Sequence, residues 1–340
     1  MIEQKPCYIL AIESSCDDTA AAVLKNDTVL SNIIANQKIH EAYGGVVPEL
    51  ASRAHQQNIV PVVDQALKKA GISKKDLNAI AYTRGPGLLG SLLVGTSFAK
   101  SLSMALEIPL IEVNHLQGHL LSHFIRDEHP TPQFPFLGIT VSGGHTQIVN
   151  LDGHFELEEL GTTLDDAIGE AFDKCGKVMG LGYPAGPHID RYAKEGDPHA
   201  YRFPIPKVDG LNVSYSGFKT AVLNFLHKNK QKNPSFIEDN LPDLCASIQF
   251  TLIQIIVEKI ERAVLQTGIK EIAIGGGVAA NSGLRNTLTK MAEDNNWTLH
   301  LPPFAYTTDN AAMIGIVGYF KYNEQRFGTL DQSATARLPI

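Results

Sequence analysis

No stretch of about 20 apolar residues, the length a helix needs to cross a bilayer, runs through this chain. The longest helical stretch without a charge lies between Arg84 and Lys100, and it is short and glycine-rich. No membrane partner is expected. Cysteine is scarce as well. Cys7, Cys16, Cys175 and Cys245 are scattered, and no two stand as C-x-x-C. A zinc knuckle or a redox pair of that spacing is therefore excluded. The N-terminus, "MIEQKPCYILAIESS", runs straight into a strand with neither a signal-peptide pattern nor an Arg-rich, acid-poor transit sequence. Together with the scattered thiols, this points to a reducing cytoplasm. Positive charge is also in short supply. The formal net charge is -7, whereas nucleic-acid binders are usually basic. The short basic run "HKNKQK", His227 to Lys232, reads as a solvated helix end. Charged residues make up only 19%, which argues against long disordered tails.

The chain does have enough apolar material for two packed domains: 340 residues, 44% of them hydrophobic. "CYILAIESS" reads as a buried strand, followed by a small polar turn and further strands. Apolar positions at helical spacing predict a helix from about Pro48 to Ala70. "LNAIAYTRGPGLLGSLLVG" then reads as strand, glycine-rich turn and helix, and "IPLIEVNH" as another strand. From "FPFLGITVSGGHTQIVN" the order restarts. Helices are expected at Leu164 to Met179, at Gly186 to Ala193, and from near Ser216 and Leu241. "IKEIAIGGGVAANSGL" again reads as strand, glycine turn and helix, and "WTLHLPP" as a strand. The repeated order predicts a duplicated α/β architecture with a cleft between the halves. One lobe would span 7–130, with a closing helix at 307–326 packing back on it. The other would span 131–306 and carry a helical insertion.

Three turns invite a ligand. "TVSGGHTQ", Thr140 to Gln147, lets backbone approach closely and can point successive N–H groups inward, although Gly-Gly is also an ordinary hairpin signal. "IESSCDDTA" crowds Ser14, Ser15, Asp17 and Asp18 into one turn, where a metal, a phosphate-bound cation or a substrate amine could meet them; turn capping needs only one of the acids. "AIGGGVAAN" puts three glycines between a strand and a helix, a seat for a nucleotide or a plain tight turn. It is neither G-x-G-x-x-G nor a Walker sequence.

"VNHLQGHLLSH" places His115, His119 and His123 four apart. His115 and His119 share a helix face. Imidazole suits zinc and iron, and a carboxylate would complete a set that leaves positions open. Asp309 in "YTTDNAAMIG" is the candidate, expected to begin a helix after a strand. His123 lies two turns from His115, too far to share the ion. Leu116 follows His115 where a zinc protease helix carries its Glu base, so the metal would orient a substrate by its oxygens.

Taken in order, "IESSCDDT", "YGGVVPELASRAH", "RGPGLLGSLLVG", "NHLQGH", "VSGGHTQ", "GEAFDK", "YPAGP", "SYSGFKT", "GGGVAAN" and "TDNAAMIG" resemble the TsaD family, also called Gcp, the tRNA adenosine threonylcarbamoyltransferases. The match runs from about residue 8 to 325. The resemblance implies the two-lobe actin/Hsp70/sugar-kinase (ASKHA) fold. It implies transfer of threonylcarbamoyl from threonylcarbamoyl-adenylate to the exocyclic amine of adenosine 37 in tRNAs reading codons that begin with A. By motif, His115, His119 and Asp309 would hold a metal, usually iron, with zinc as the alternative. Val141, Ser142, Gly143, Gly144 and His145 would line the adenylate and acyl-phosphate. Asp173, Gly186 and Asp190 would contact the nucleotide, Asn281 would reach the adenosine, and Asp17 and Asp18 would lie near the reacting phosphate. Two partners are implied, a degenerate paralogue and a small P-loop ATPase. The chain departs from the family with Asp at 18, where Glu is general, and Ala at 185, where Gly is common.

Other readings are an ATP-dependent kinase or ATPase of the same fold, a metalloprotease, and a non-catalytic nucleotide-binding assembly partner. The kinase does not need the His pair, the protease lacks its base, and the assembly partner would not need an intact His115, His119 and Asp309.

Overall fold

The computed structural model describes residues 5–340. It divides into two compact units, one running to Thr131 and resuming at Thr308–Ile340, the other spanning Pro132–Thr307.

The first unit contains β1 (Tyr8–Glu13), β2 (Thr19–Lys25), β3 (Thr28–Ala35), α1 (Pro48–Ala70), β4 (Ala79–Gly85), α2 (Leu89–Leu106), β5 (Leu110–Asn114) and α3 (His115–Leu121). The second contains β6 (Phe136–Val141), β7 (Thr146–Gly153), β8 (Glu156–Thr162), α4 (Ile168–Val178), α5 (Gly186–Ala193), α6 (Ser216–Lys232), the single turn α7 (Phe236–Asp239), α8 (Leu241–Thr267), β9 (Glu271–Gly275), α9 (Ser282–Asn295) and β10 (Thr298–His300). The chain then returns to the first unit through α10 (Ala311–Asn323), which packs on β1, β2 and α3.

The two sheets have one topology. Strand order is β3-β2-β1-β4-β5 in the first unit and, read from the matching edge, β8-β7-β6-β9-β10 in the second. In each, the first three strands of the chain pair antiparallel and the last two join in parallel. Central strands such as β1 and β6 are buried on both faces, so they read as continuous apolar runs. The parallel pairing puts the β1–β2 turn and the β4–α2 turn at the same sheet end. In the second unit the β6–β7 turn and the glycine turn after β9 share an end likewise. Ligands of parallel α/β sheets sit at that carboxyl end.

α1 buries Ile59, Val62, Val63 and Ala66 on the first sheet. Each large aliphatic side chain so removed from water contributes about 1.5–3 kcal/mol. α2 and α8 are long and apolar enough by composition to span a bilayer. The apolar length of α8 is accounted for by packing, since most of its side chains are buried in the core of the second unit.

Two boundaries differ from expectation. α4 begins at Ile168, not Leu164, because residues 164–166 are committed elsewhere. Leu164 N–H donates to Val213 O. The Asp165 carboxylate accepts from the hydroxyls of Ser214 and Ser216 and from the N–H groups of Tyr215 and Ser216. Despite partial desolvation, those four donors hold Asp165 down at about 2. At the other end, Asp309 does not begin a helix. It follows a short 3-10 turn (Phe304–Tyr306) and precedes Asn310, whose side chain caps α10 by accepting from Met313 N–H.

Candidate metal centre and glycine turns

The histidine helix starts where β5 ends. Asn114 caps it, its Oδ1 accepting from Leu116 N–H at 2.9 Å and Gln117 N–H at 3.4 Å. His115 and His119 follow on one face, with ring centroids 4.7 Å apart and planes at 86°. Gly118 faces α10: a Cβ there would meet Ile314 Cδ1 at 3.1 Å and Met313 Cγ at 3.2 Å. The missing side chain lets the two helices close, and α10 carries Asp309 at its entrance. Asp309 Oδ1 lies 3.5 Å from His115 Nε2 and 3.3 Å from His119 Nε2. One donor atom from each of the three residues lies within 4.8 Å of the others. The histidine side chains are buried, while Asp309 is 26% exposed and marks the open side.

This donor set fits a divalent metal of zinc or iron type. His119 is wholly buried, and neither ring nitrogen makes a well-formed hydrogen bond. Its Nε2 faces Asp309 at a distance longer than a good hydrogen bond, on the side where the three donor atoms converge. His123 is not part of the set. The α-helix ends at Leu121, short of the helical stripe expected, and His123 falls in a 3-10 turn.

Reading the chain missed Glu13, the last residue of β1. Its side chain is fully buried. Oε1 accepts from Ser15 N–H at 2.5 Å, and Oε2 accepts from Thr83 Oγ1 at 2.6 Å. Oε2 also lies 3.1 Å from His115 Nδ1, as does Ser15 Oγ. Burial alone would raise the Glu13 pKa, but the His115 charge holds it below the usual range. Burial would lower His115, yet Glu13 and Asp309 lift it to about 9. Burial dominates at His119 and lowers it. The sequence signal was an acid ending an apolar strand, next to a turn already crowded with oxygens.

Asp17 and Asp18 sit in the turn after β1. Asp18 Oδ1 accepts from Asn36 Nδ2 at 3.0 Å. Burial first, then the charges of Asp17 and Asp309, raise Asp18 to about 7. The turn is braced from α1. The buried His55 Nε2 donates to Cys16 O at 3.0 Å, and its Nδ1 meets Thr19 Oγ1 at 2.8 Å. Burial and the Asp17 charge hold the Cys16 thiol well above its ordinary value, so it is no nucleophile at neutral pH.

In the second unit, the Ser142–His145 turn is closed by Ser142 N–H on His145 O at 2.8 Å and by His145 N–H on Ser142 Oγ at 3.0 Å. Val141 ends β6 just before it and is buried. Gly143 and Gly144 are exposed, with nothing within 4 Å of where a Cβ would stand. The start of α4 abuts the turn, with Gly169 N–H donating to Ser142 O at 3.2 Å. Gly276 comes in from the other side, where a Cβ would lie 2.5 Å from Val141 O.

The other residues expected to touch nucleotide already have partners inside the unit. Asp173 Oδ1 accepts from Ala185 N–H at 2.7 Å, steadying the turn before α5, and burial raises its pKa. Gly186 opens α5 with free space at its Cα. Asp190 accepts from Ser282 Oγ at 2.8 Å and Ser282 N–H at 3.2 Å. Asn281 caps α9 through Leu284 N–H and donates to Gln249 Oε1 at 2.7 Å.

Comparison with known proteins shows the family of the chain. The family described as "TsaD: tRNA N6-adenosine threonylcarbamoyltransferase" matches residues 28–316. A protein of that name from Christiangramia forsetii is 63% identical over 338 residues, covering 99% of each chain. Another, from Riemerella anatipestifer, is 57% identical over 337 residues, again covering 99% of each. Among solved structures, full-length HypF in its phosphate- and nucleotide-bound form aligns over 95% of this chain with a TM-score of 0.63 at 14% identity; this chain spans 47% of it. At that identity the likeness speaks to fold alone, the duplicated ASKHA type. With a whole-length match at more than half identity and every quoted motif in order, the chain belongs to the tRNA N6-adenosine threonylcarbamoyltransferase family.

Proposed function

We propose that this chain is the catalytic subunit that transfers a threonylcarbamoyl group to N6 of adenosine 37 in tRNAs reading codons that begin with A, with threonylcarbamoyl-adenylate as donor. Beyond family membership, the convergence of His115, His119 and Asp309 carries the reading. A kinase of the same fold has no use for that set, nor has an assembly partner that does no chemistry.

The donor is a mixed carboxylic–phosphoric anhydride, so no enzyme nucleophile is needed. N6 attacks the carbamoyl carbon, the bond from that carbon to the phosphate oxygen breaks, AMP leaves, and the N6 proton passes to a base. His115, His119 and Asp309 would hold a divalent ion, Fe(2+) or alternatively Zn(2+), which supplies Lewis-acid polarisation and a template for the acyl oxygens. The N–H groups around Ser142, Gly143, Gly144 and His145 would receive the departing phosphate charge. Asp17 is assigned the proton, with Asp18 beside it. If Asp17→Ala lowers substrate binding but leaves the chemical step intact, that assignment fails. The anticodon-loop base is reachable because it can be unstacked.

A protease reading has no support at this centre. Leu116 is apolar, and Glu13 approaches His115 from the Nδ1 side, buried behind the ring and away from the open side at Asp309. The acidic net charge of -7 fits a protein that grips tRNA with help, here a degenerate paralogue and a small P-loop ATPase, in the cytoplasm.

The test supplies purified protein with synthetic threonylcarbamoyl-adenylate and unmodified tRNA, with and without chelator, and reads the nucleosides by mass spectrometry. Modified adenosine that chelator abolishes is expected. None, even with both partner proteins present, would end the reading. Metal analysis of anaerobically purified protein separates iron from zinc.

A further inference from the structure

A metal-binding imidazole must turn one nitrogen to the ion, and what its other nitrogen meets decides which one that is. At His115 the two nitrogens face different surroundings. Nε2 points to Asp309, while Nδ1 lies 3.1 Å from Glu13 Oε2. The other two contacts of the Glu13 carboxylate are donors, Ser15 N–H to Oε1 and Thr83 Oγ1 to Oε2. Its oxygens therefore act as acceptors, which calls for a donor at Nδ1; Ser15 Oγ, 3.1 Å from the same nitrogen, can accept from it too. Those contacts span β1, the turn after it and β4, so two paired strands fix the carboxylate in one orientation. His119 has no such partner at Nδ1. A carboxylate without solvent is costly to keep, and the surrounding hydrogen bonds offset that cost only in this one arrangement.

We propose that Glu13 is a positioning residue of the metal centre: it holds His115 with Nδ1 as donor, so that Nε2 faces the ion beside His119 and Asp309. The inference rests on the reading of those three residues as metal ligands.

Zn(2+) alone is the probe, titrated into metal-free protein against a chromophoric chelator. Wild type, Glu13→Gln, Thr83→Val and His119→Ala are compared. Loss of an outer-shell partner typically weakens metal binding about 10–100-fold, and Glu13→Gln should fall in that range. Thr83→Val leaves the carboxylate but removes one of its holders, so a smaller loss is expected; it also serves if Glu13→Gln does not fold. In zinc-loaded wild type labelled with 15N-histidine, His115 should show a protonated Nδ1 and a metal-bound Nε2. A merely structural Glu13 would lower the melting temperature of the metal-free protein and leave the zinc affinity of the folded fraction unchanged. Wild-type affinity in both Glu13→Gln and Thr83→Val, or zinc on Nδ1 of His115, overturns the Glu13 role. If wild type binds zinc no better than His119→Ala, the ligand reading falls and takes this inference with it.

Discussion

Asn114 Nδ2 donates to the backbone carbonyl of Pro339 at 2.8 Å, while Oδ1 of the same side chain caps the helix that carries His115 and His119. One side chain thus fastens a strap of residues 332–339 to the candidate metal helix. The strap is tied down along its length. Lys100 Nζ donates to Gln332 O at 2.6 Å, Thr335 N–H to Arg84 O at 2.9 Å, and Gly87 N–H to Ala336 O at 3.2 Å. Gly85 admits it, since a Cβ there would stand 2.0 Å from Thr335 O.

Asn114→Ala should therefore do two things at once. Loss of the cap costs about 0.5–2 kcal/mol, and the strap loses its last anchor. Truncation after Arg337 keeps the cap and the Gly87–Ala336 hydrogen bond and removes the Asn114 anchor. Thermal melts of metal-free protein should rank wild type above the truncation and the truncation above Asn114→Ala. Zinc affinity should follow the same order. Equal melting temperatures for all three would show that the strap and cap do not support the helix.

The pairing of His115 with His119 was legible because helical period alone puts i and i+4 on one face. The duplication was legible too, because strands buried on both faces and glycine turns recur in the same order in each half. Asp309 was a candidate because it was expected to begin a helix after a strand, and the resemblance named it too; its approach depends on Gly118 letting α3 and α10 close, which no local pattern records. Glu13 was passed over for a similar reason. An acid at the end of an apolar strand looks like an edge residue until Thr83 and His115 are brought to it from later in the chain. The start of α4 was misplaced because the acids at 165 and 166 look like helix N-terminal residues, while the first of them is taken up by Ser214 and Ser216. Asp173, Asp190 and Asn281 read as ligand contacts, yet each also knits its own unit together, a role that sequence spacing does not reveal.

Glycine at 143 and 144 is not demanded by the fold. Neither has a left-handed backbone, and a Cβ at either would stand in open space. Gly144→Ala should melt within about 0.5 kcal/mol of wild type, as surface substitutions do. If the turn receives the donor as proposed, the variant's KM for threonylcarbamoyl-adenylate should nevertheless rise, because the added methyl would stand on the proposed donor face. Gly276 is the contrast, with φ at 96° and Val141 O 2.5 Å from a Cβ. Gly276→Ala should lose more than about 1 kcal/mol of stability. A Gly144→Ala variant with unchanged KM would remove the SGGH turn from the donor site.

Asp18 gives stability a pH dependence of its own. The folded protein keeps the Asp18 proton up to about 7, whereas an unperturbed carboxyl releases it near 3.8. Between those values the folded state binds more protons than the unfolded state, so stability falls as pH rises. Asp18→Asn removes the cost of ionising a half-buried acid beside Asp17. In chelator-treated protein the variant should melt above wild type at pH 8, and the gap should close towards pH 4. A gap that is constant across this range would mean that Asp18 ionises normally in the fold.

His55 makes the opposite demand at the same turn. Burial lowers its pKa below 6.5, so the folded protein holds it neutral, with Nε2–H on Cys16 O and Nδ1 accepting from the Thr19 hydroxyl. Its contribution is complete above pH 6.5 and is lost as pH falls through the depressed folded value, because the unfolded chain takes up a proton that the fold refuses. His55→Phe keeps an aromatic ring of similar size but leaves the Cys16 carbonyl and the Thr19 hydroxyl without this partner. Each buried group left so costs about 1–3 kcal/mol, so the variant should be clearly destabilised at pH 8. The acid-side loss due to His55 should disappear at the same time, narrowing the difference from wild type towards pH 5. Because Cys16 and Thr19 bracket Asp17 and Asp18, transfer activity should fall by more than the folded fraction does. If activity simply tracks the folded fraction, His55 supports the strand pair and not the acids between them.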